Sequence, residues 1–232
     1  MPKIVLHQWA MSPFCNKVRR CLTWKGLSFE VIDYNGLRAR EAAKLSRVGT
    51  LPVLDYDGER IVDSSAIALR LERLHPTPAL FPADPAERAR AHFWENWAEQ
   101  SLYFFEIYFR MLDPVAREKA LDLLCAGRPG YERALVRIVL AQRYPKKLRA
   151  QGLGRLERGD VERIFFEHVS ALDALLAKEP WLAGSNPSIA DISVVAQLDE
   201  VIRTSELGPR IRAHAAVSSF LDRAPGRAEG QP

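Results

Sequence analysis

The first 76 residues alternate between short apolar runs and amphipathic segments. The run Lys3–His7 is typical of a strand, and the spacing of apolar side chains within Pro13–Trp24 predicts a helix. The predicted elements, in order, are strand Lys3–His7, helix Pro13–Trp24, strand Phe29–Asp33, helix Arg38–Leu45, strands Val53–Tyr56 and Arg60–Val62, and helix Ser64–Leu74. This order predicts a mixed sheet, because the helical crossover requires a parallel pair and the turn Asp57-Gly58 favours an antiparallel hairpin.

A proline-rich segment then separates two halves of the chain. Residues 75–85, "HPTPALFPADP", exclude a regular helix and favour a linker. Beyond them only helices are predicted, over Ala86–Leu112, 115–126, 131–143, Val161–Lys178, Ser188–Arg203 and Pro209–Arg223. The first of these helices is apolar on nearly every face, which is typical of a central, buried helix. We therefore expect an α/β domain over residues 1–76, a linker over 77–85, an all-α helical bundle over 86–223 and a flexible tail over 224–232.

The composition narrows the class of protein. The chain has 33 Lys and Arg against 29 Asp and Glu, a net charge of +4, and this mixed surface does not predict nucleic-acid binding. It contains no apolar run of 18 residues, so we expect no membrane span, and its N-terminus lacks a secretory signal. The 3 cysteines favour a reducing, cytoplasmic compartment, and the 5 histidines form no metal-like pair, so no metal is expected.

One segment departs from the even distribution of charge. Between residues 133 and 158 the only acid is Glu157, and the basic residues are Arg133, Arg137, Arg143, Lys146, Lys147, Arg149, Arg155 and Arg158. A solvated helix face explains such a run, and a site for an anionic ligand or an acidic partner is the alternative. The run lacks the regularly interleaved aromatic side chains of nucleic-acid platforms.

Two predicted helices begin with residues that suit an anion. In "MSPFCNKVRRC", Ser12 is the expected N-cap and Pro13 the first helical residue. The Ser12 hydroxyl either only caps the helix or donates to a thiolate docked there, where the helix dipole lowers the pKa of a nearby thiol. In "VDSSAI", Asp63 and Ser64 begin another helix, whose free backbone N–H groups either receive a simple cap or bind a carboxylate.

A third segment, "GTLPVLDYDG", places Pro52 at the start of a strand. A trans proline is the ordinary case at a sheet edge, whereas a cis bond would turn the backbone of Leu51 toward a ligand. Together, in this order and ahead of an all-helical half, the three segments resemble the cytosolic glutathione S-transferase family. The resemblance is specific over residues 4–74 and architectural over 86–223.

The resemblance implies a thioredoxin-like first domain, a homodimer, and glutathione as the cosubstrate of a small electrophile. It also implies roles for individual residues. Ser12 would act on the glutathione sulfur, and the backbone of Leu51, beside a cis Pro52, would pair with the cysteinyl part. Asp63 and Ser64 would hold the γ-glutamyl carboxylate.

One departure from the family pattern concerns a positive charge. Many relatives have Lys at the position of Thr50, and that Lys assists the glycine carboxylate of glutathione. Arg47 or Lys44 is the expected substitute in this chain.

The segment "NPSIADISV" resembles a further family motif, which precedes a core helix. Ser188 as N-cap and Asp191 three residues later form a capping box, in which each side chain satisfies the backbone N–H of the other. We therefore assign this pair to folding.

Three functions stay open at this point. Ser12 could stabilise a glutathione thiolate that attacks an electrophilic carbon, Cys15 could exchange disulfides with glutathione as in an oxidoreductase, or the protein could bind a ligand without catalysis. Position favours Ser12, because in redox relatives with Cys-Pro-x-Cys the exposed first cysteine attacks, and that first position is Ser12 here. Cys15 also lacks a resolving partner, since Cys21 lies about 120° away around the helix.

The electrophile pocket is expected between the two domains. The candidates to line it are Trp9 and Met11, in the loop before the first helix, and Tyr103, Tyr108 and Arg110 on the long helix. Tyr103 and Tyr108 are about 140° apart around a helix, so at least one of them is expected in the core. The predicted activity is transfer of glutathione to an electrophile, as in detoxification.

Overall fold

The computed structural model describes residues 2–227, and its four strands form one mixed sheet. These strands are β1 (Ile4–Gln8), β2 (Glu30–Asp33), β3 (Val53–Tyr56) and β4 (Glu59–Val62), in the order β2-β1-β3-β4. Strand β1 is parallel to β2 and antiparallel to β3, with Leu6 opposite Leu54. The hairpin between β3 and β4 turns at Asp57 and Gly58, both at positive φ, as the predicted Asp-Gly turn requires.

Helices α1 (Pro13–Trp24) and α2 (Ser64–Leu74) complete the first domain. Their apolar faces are buried together with the sheet, through Val18, Leu22, Leu54, Ile67 and Leu71. The predicted helix Arg38–Leu45 is instead a 3₁₀ segment, Gly36–Lys44, in which only Gly36 and Ala42 are buried. Because so few of its residues are buried, tertiary packing does not stabilise an α-helix there in preference to the tighter 3₁₀ turns.

The second half is helical. Its helices are α3 (Pro85–Trp97), α4 (Tyr103–Leu112), α5 (Pro114–Leu124), α6 (Gly130–Gln151), α7 (Arg158–Leu176), α8 (Ile189–Thr204), α9 (Gly208–Arg212) and α10 (Ala215–Arg223). A π-helical turn, Ala98–Leu102, joins α3 to α4, and a 3₁₀ turn, Leu153–Arg155, precedes α7. A mixed-sheet domain followed by a helical domain confirms the predicted fold class.

The most buried helix is not the one that the sequence suggested. Helix α3 keeps Phe93 78% exposed and buries only Ala91 and Glu95, whereas most of α8 is buried. Helix α8 packs against α1, α3 and α4, and so it connects the two domains. The predicted helix Ala86–Leu112 is therefore divided: its first part, α3, is largely exposed, whereas its last part, α4, buries seven of its ten residues as expected.

Two other predicted regions differ from the structure. Helix α6 continues past the predicted end at 143, through Pro145, to Gln151, and α7 begins at Arg158 and not at Val161, so the predicted loop 151–160 shortens at both ends. The predicted helix Pro209–Arg223 is divided into α9 and α10, because the Asp173 carboxylate on α7 caps the N–H groups of Ala216 and Val217 at 2.9 and 3.0 Å.

The segment predicted as a flexible tail begins with packed residues. Ala224 and Pro225 are buried, and the Pro225 carbonyl accepts a hydrogen bond from Arg20 Nη1 at 3.0 Å. The remainder of the predicted tail, 228–232, lies outside the described residues. Within 2–227, no helix has both the length and the apolar character needed to cross a membrane.

The capping box of α8 also holds the irregular segment that precedes the helix. Asp191 is fully buried, and its carboxylate accepts from the Ser188 N–H and hydroxyl at 2.8 and 3.1 Å, and from the Leu182 N–H at 2.9 Å. The Ser188 hydroxyl accepts in turn from the Ala190 N–H at 3.3 Å. The pair therefore orders both the start of α8 and the preceding irregular segment.

We expect Asp191→Ala to lower the free energy of unfolding by about 2–3 kcal/mol, because two buried N–H groups lose their acceptor. Urea unfolding followed by circular dichroism measures this loss. Asp191→Asn keeps one side-chain oxygen and should cost less. A loss of less than about 0.5 kcal/mol in the alanine variant would contradict the assignment of this pair to folding.

Candidate functional site

A cavity of about 630 Å³ lies between the two domains. Its wall contains most of the residues that the sequence singled out, namely Trp9, Met11, Ser12, Leu51, Pro52, Asp63, Ser64, Tyr103 and Arg110. Cys15 and Tyr108 lie outside this wall. The loop after β1, the start of α1, the segment before β3 and the start of α2 thus meet on one surface.

Ser12 stands where α1 meets the cavity. It is 8% exposed, and its N–H donates to the Trp9 carbonyl at 3.0 Å. Its Oγ accepts the Cys15 N–H at 3.4 Å, and Pro13 follows as the first helical residue. A hydroxyl that accepts one bond still has its own proton to donate, so the cap leaves Ser12 able to donate either to the Cys15 sulfur beside it or into the cavity.

Cys15 is placed poorly for thiol chemistry. It is fully buried and packs in a small apolar cluster with Tyr34, Leu51 and Val53. Burial raises the pKa of Cys15 to about 11, against the lowering effect of the Ser12 hydrogen bond. The neutral thiol therefore dominates near pH 7, and the attacking thiolate is scarce.

Two further segments line the cavity, the one before β3 and the start of α2, and each has an unusual backbone conformation. The Leu51–Pro52 peptide bond is cis, and both residues lie on the wall beside Thr50. Asp63, at φ +81°, is the N-cap of α2, and its carboxylate accepts from the N–H groups of Ser65 and Ala66, both at 3.0 Å.

A buried ammonium lies under the start of α2. Lys17 is 1% exposed, and its Nζ donates to Glu95 at 2.5 Å, to Glu99 at 2.6 Å and to the Ser65 hydroxyl at 3.0 Å. The Ser64 hydroxyl donates to Glu99 at 3.2 Å. Burial alone would lower the pKa of Lys17, but the two carboxylates raise it above its ordinary value. This cluster fixes the side chains of Ser64 and Ser65 next to the cavity.

A second ionic cluster holds the loop that leads to Ser12. The Met11 carbonyl accepts from Arg110 Nη1 at 2.6 Å, and the Ala10 carbonyl accepts from Arg203 Nη2 at 3.0 Å. Arg110 also forms an ion pair with the fully buried Glu106 at 2.6 Å. Burial raises the pKa of Glu106 to about 8, although Arg110 lowers it. Arg110 thus lines the cavity mainly as a residue that positions the loop.

Tyr103 and Tyr108 face different surroundings, as their separation of about 140° around the helix requires. Tyr103 lines the cavity, and its ring packs edge-on against Phe14 with centroids 5.0 Å apart. Burial raises the pKa of Tyr103 to about 12, so it keeps its proton at neutral pH. Tyr108 is buried against Phe109 and belongs to the core, which corrects its sequence-based assignment to the substrate pocket.

The expected substitute for the missing lysine is also corrected. Arg40, and not Arg47 or Lys44, lies on the cavity wall. The 3₁₀ segment that carries Arg40 is held by the second domain, where the Glu132 carboxylate accepts from the Leu37 N–H at 2.8 Å. A contact from a residue so distant in the chain leaves no local signal in the sequence.

Several other wall residues were not assigned to the pocket from the sequence. They come from α1, the π-helical turn, α4 and α6, and include Phe14, Glu99, Phe104, Arg143, Tyr144 and Lys147. For the residues of α6, the basic run 133–158 was the signal that the sequence offered. In the part of the chain that the structure describes, no group of three or more His, Cys, Asp or Glu residues is placed to hold a metal ion.

The chain belongs to the glutathione S-transferase family: the model of the N-terminal domain of these proteins matches residues 6–79, and that of the C-terminal domain matches 85–223. A glutathione S-transferase of Pseudomonas putida is 34% identical over 53% of this chain and 59% of its own length. Maleylacetoacetate isomerase of Pseudomonas aeruginosa is 27% identical over 92% of this chain and 90% of its own.

Solved structures show the same fold. A glutathione S-transferase from Rhodospirillum rubrum superposes with a TM-score of 0.63 at 21% identity, covering 94% of this chain and 86% of that one. The family membership and the thioredoxin-like fold that the sequence motifs implied are therefore confirmed.

Proposed function

We propose that the protein is a glutathione transferase that adds the glutathione thiolate to a small electrophile. The observation that carries the proposal is the position of Ser12, an N-cap hydroxyl on the wall of a cavity that also contains Leu51, Pro52, Asp63 and Ser64. The relatives named as transferases support it. The burial of Cys15 disfavours the oxidoreductase alternative.

Ser12 performs the central step in this proposal. Its hydroxyl donates to the glutathione sulfur, and the positive end of α1 stabilises the same negative charge. Both effects lower the thiol pKa and raise the thiolate population near pH 7. The sulfur lone pair then forms the bond to an electrophilic carbon, and the leaving group departs with its electron pair, or a proton adds to the neighbouring carbon.

The remainder of the cavity would hold the peptide. The backbone of Leu51 pairs with the cysteinyl residue, and the Ser64 N–H, which the Asp63 carboxylate does not cap, receives the γ-glutamyl carboxylate. The carboxylate of Glu99, which accepts a hydrogen bond from the Ser64 hydroxyl, would pair with the ammonium group of the same γ-glutamyl residue. Arg40 is a cation of the first domain on the same wall as Thr50, and it meets the glycyl carboxylate.

We expect Arg40→Met to raise the Kd for glutathione about tenfold, because a charge-assisted hydrogen bond is lost. Titration calorimetry measures this Kd. Arg47→Met is the matched control, since it removes the same charge from an exposed site away from the wall, and it should leave the Kd within about twofold. Equal losses in the two variants would show that Arg40 makes no specific contact.

The product distinguishes the three candidate functions. The purified protein is incubated with glutathione and chlorodinitrobenzene, and the products are separated by mass. A transferase forms the thioether faster than the uncatalysed reaction. An oxidoreductase, given glutathione disulfide instead, forms a mixed disulfide at Cys15 and releases one glutathione, and a binding protein does neither. Absence of glutathione binding at millimolar concentration would exclude both enzymatic functions.

The homodimer, the cytoplasmic location and the role in detoxification stay predictions from the family resemblance. Sedimentation of the purified chain tests the first of them.

A further inference from the structure

The basic run of the second domain divides into two groups. Three of its arginines pair with carboxylates: Arg133 with Glu118 and Asp122, Arg137 with Glu118, and Arg158 with Asp113 and Glu162. Arg155 donates to a backbone carbonyl. The remaining four, Arg143, Lys146, Lys147 and Arg149, have no carboxylate within 4.0 Å among residues 2–227.

Two of these four cations line the cavity. Arg143 and Lys147 are four residues apart on α6, and therefore neighbours on one face of the helix. Lys147 Nζ lies 4.6 Å from the centroid of the Tyr103 ring and 5.6 Å from that of Phe104, and it donates to the Tyr103 hydroxyl at 3.1 Å. Burial lowers the pKa of Lys147, so a nearby anion would stabilise its charged form.

The other charged groups on the wall are already engaged or lie at the glutathione end. Asp63 caps α2, Glu99 binds Lys17, and Arg110 pairs with Glu106. Arg40 lies on the 3₁₀ segment of the first domain. The helical side of the cavity therefore combines two cations with the aromatic rings of Tyr103, Phe104 and Tyr144.

We propose that this side selects a planar, unsaturated electrophile that carries a carboxylate, with Arg143 and Lys147 binding the carboxylate and the rings contacting the planar body. This proposal rests on the proposed transferase function, because it names the class of the second substrate. The carboxylate takes no part in the bond changes: it orients the electrophilic carbon toward the sulfur beside Ser12.

A matched pair of electrophiles tests the proposal. Chlorodinitrobenzene is neutral and chlorodinitrobenzoate carries the carboxylate; in both, the sulfur bonds to the ring carbon and chlorine leaves as chloride with its electron pair. Each kcat/KM is divided by the uncatalysed rate constant to remove intrinsic reactivity. The double variant Arg143→Met, Lys147→Met should lower the benzoate-to-benzene ratio roughly 10- to 100-fold, because only the benzoate loses a carboxylate contact.

The control is the double variant Lys146→Met, Arg149→Met, which removes the same two charges from the same helix outside the cavity wall. It should leave the ratio within about threefold of wild type. An equal fall in both double variants would show that only the long-range field matters, and an unchanged ratio in the first would overturn the proposal.

A binding measurement separates this proposal from the transferase function. The unreactive pair dinitrobenzoate and dinitrobenzamide is titrated into the wild type and both double variants. Tighter binding of the benzoate, lost only without Arg143 and Lys147, supports the anion site even if no conjugate forms. Equal affinity for the two compounds in the wild type would overturn it, whatever the outcome of the turnover assay.

Discussion

Ser12→Ala should lower kcat/KM for glutathione conjugation at pH 7 roughly 5- to 20-fold, because the thiolate fraction falls as the thiol pKa rises from near 7 toward the value of a free thiol. The backbone around Ser12 should survive this change. Pro13 still begins α1, and the Trp9 carbonyl still accepts the N–H of residue 12. The loss is therefore expected in turnover, with glutathione affinity within a few-fold of the wild type.

Cys15→Ala is the matched control for this prediction. Its thiol is buried in an apolar cluster and its pKa is raised to about 11, so its removal should cost stability and leave kcat/KM within about threefold. Initial rates at saturating glutathione, with circular dichroism to verify folding, measure both variants. The reverse pattern, activity lost with Cys15 and kept without Ser12, would assign the chemistry to the thiol.

Lys17→Met should lower the free energy of unfolding by about 3–5 kcal/mol, because it leaves two buried carboxylates without their cation. Glu95 and Glu99 both face Lys17 Nζ, and both are largely removed from water. Glutathione affinity should fall as well, since Ser64 and Ser65 are hydrogen-bonded within the same cluster.

Urea unfolding measures this loss, and Lys178→Met, which removes an exposed ammonium, is the control. Adding Glu95→Gln to Lys17→Met should recover part of the stability, because one of the stranded charges is gone. The pKa of Lys17 is raised in the folded state, so its contribution is complete at neutral pH and is lost only as pH rises through that pKa. A loss below about 1 kcal/mol would mean that the cluster contributes little.

Local signals in the sequence predicted much of the first domain. Helix α1 begins at Pro13 after the Ser12 cap, the hairpin turns at Asp57-Gly58, and α2 begins after Asp63, each as the pattern indicated. These features depend on residues only a few positions apart. Neighbouring residues therefore specify them without reference to distant parts of the chain.

The features that could not be predicted depend on distant contacts. A lysine is usually expected on the surface. Lys17 is buried because it pairs with Glu95 and Glu99, which lie 78 and 82 residues away in the chain. Helix α10 begins where the Asp173 carboxylate of α7 caps it. The 3₁₀ segment that carries Arg40 is held in place because the Glu132 carboxylate of α6 accepts a hydrogen bond from the Leu37 N–H. A periodic pattern carries no information about such partners.

The pKa of the glutathione thiol in the binary complex tests the central claim most directly. Ultraviolet absorbance of the thiolate, followed against pH, measures it in the wild type and in Ser12→Ala. We predict a pKa near 7 in the wild type, against about 8.5 for a free thiol, and a rise of at least about one unit in the variant. The same pKa in the wild type and the variant, or a wild-type value equal to that of free glutathione, would contradict the role of Ser12.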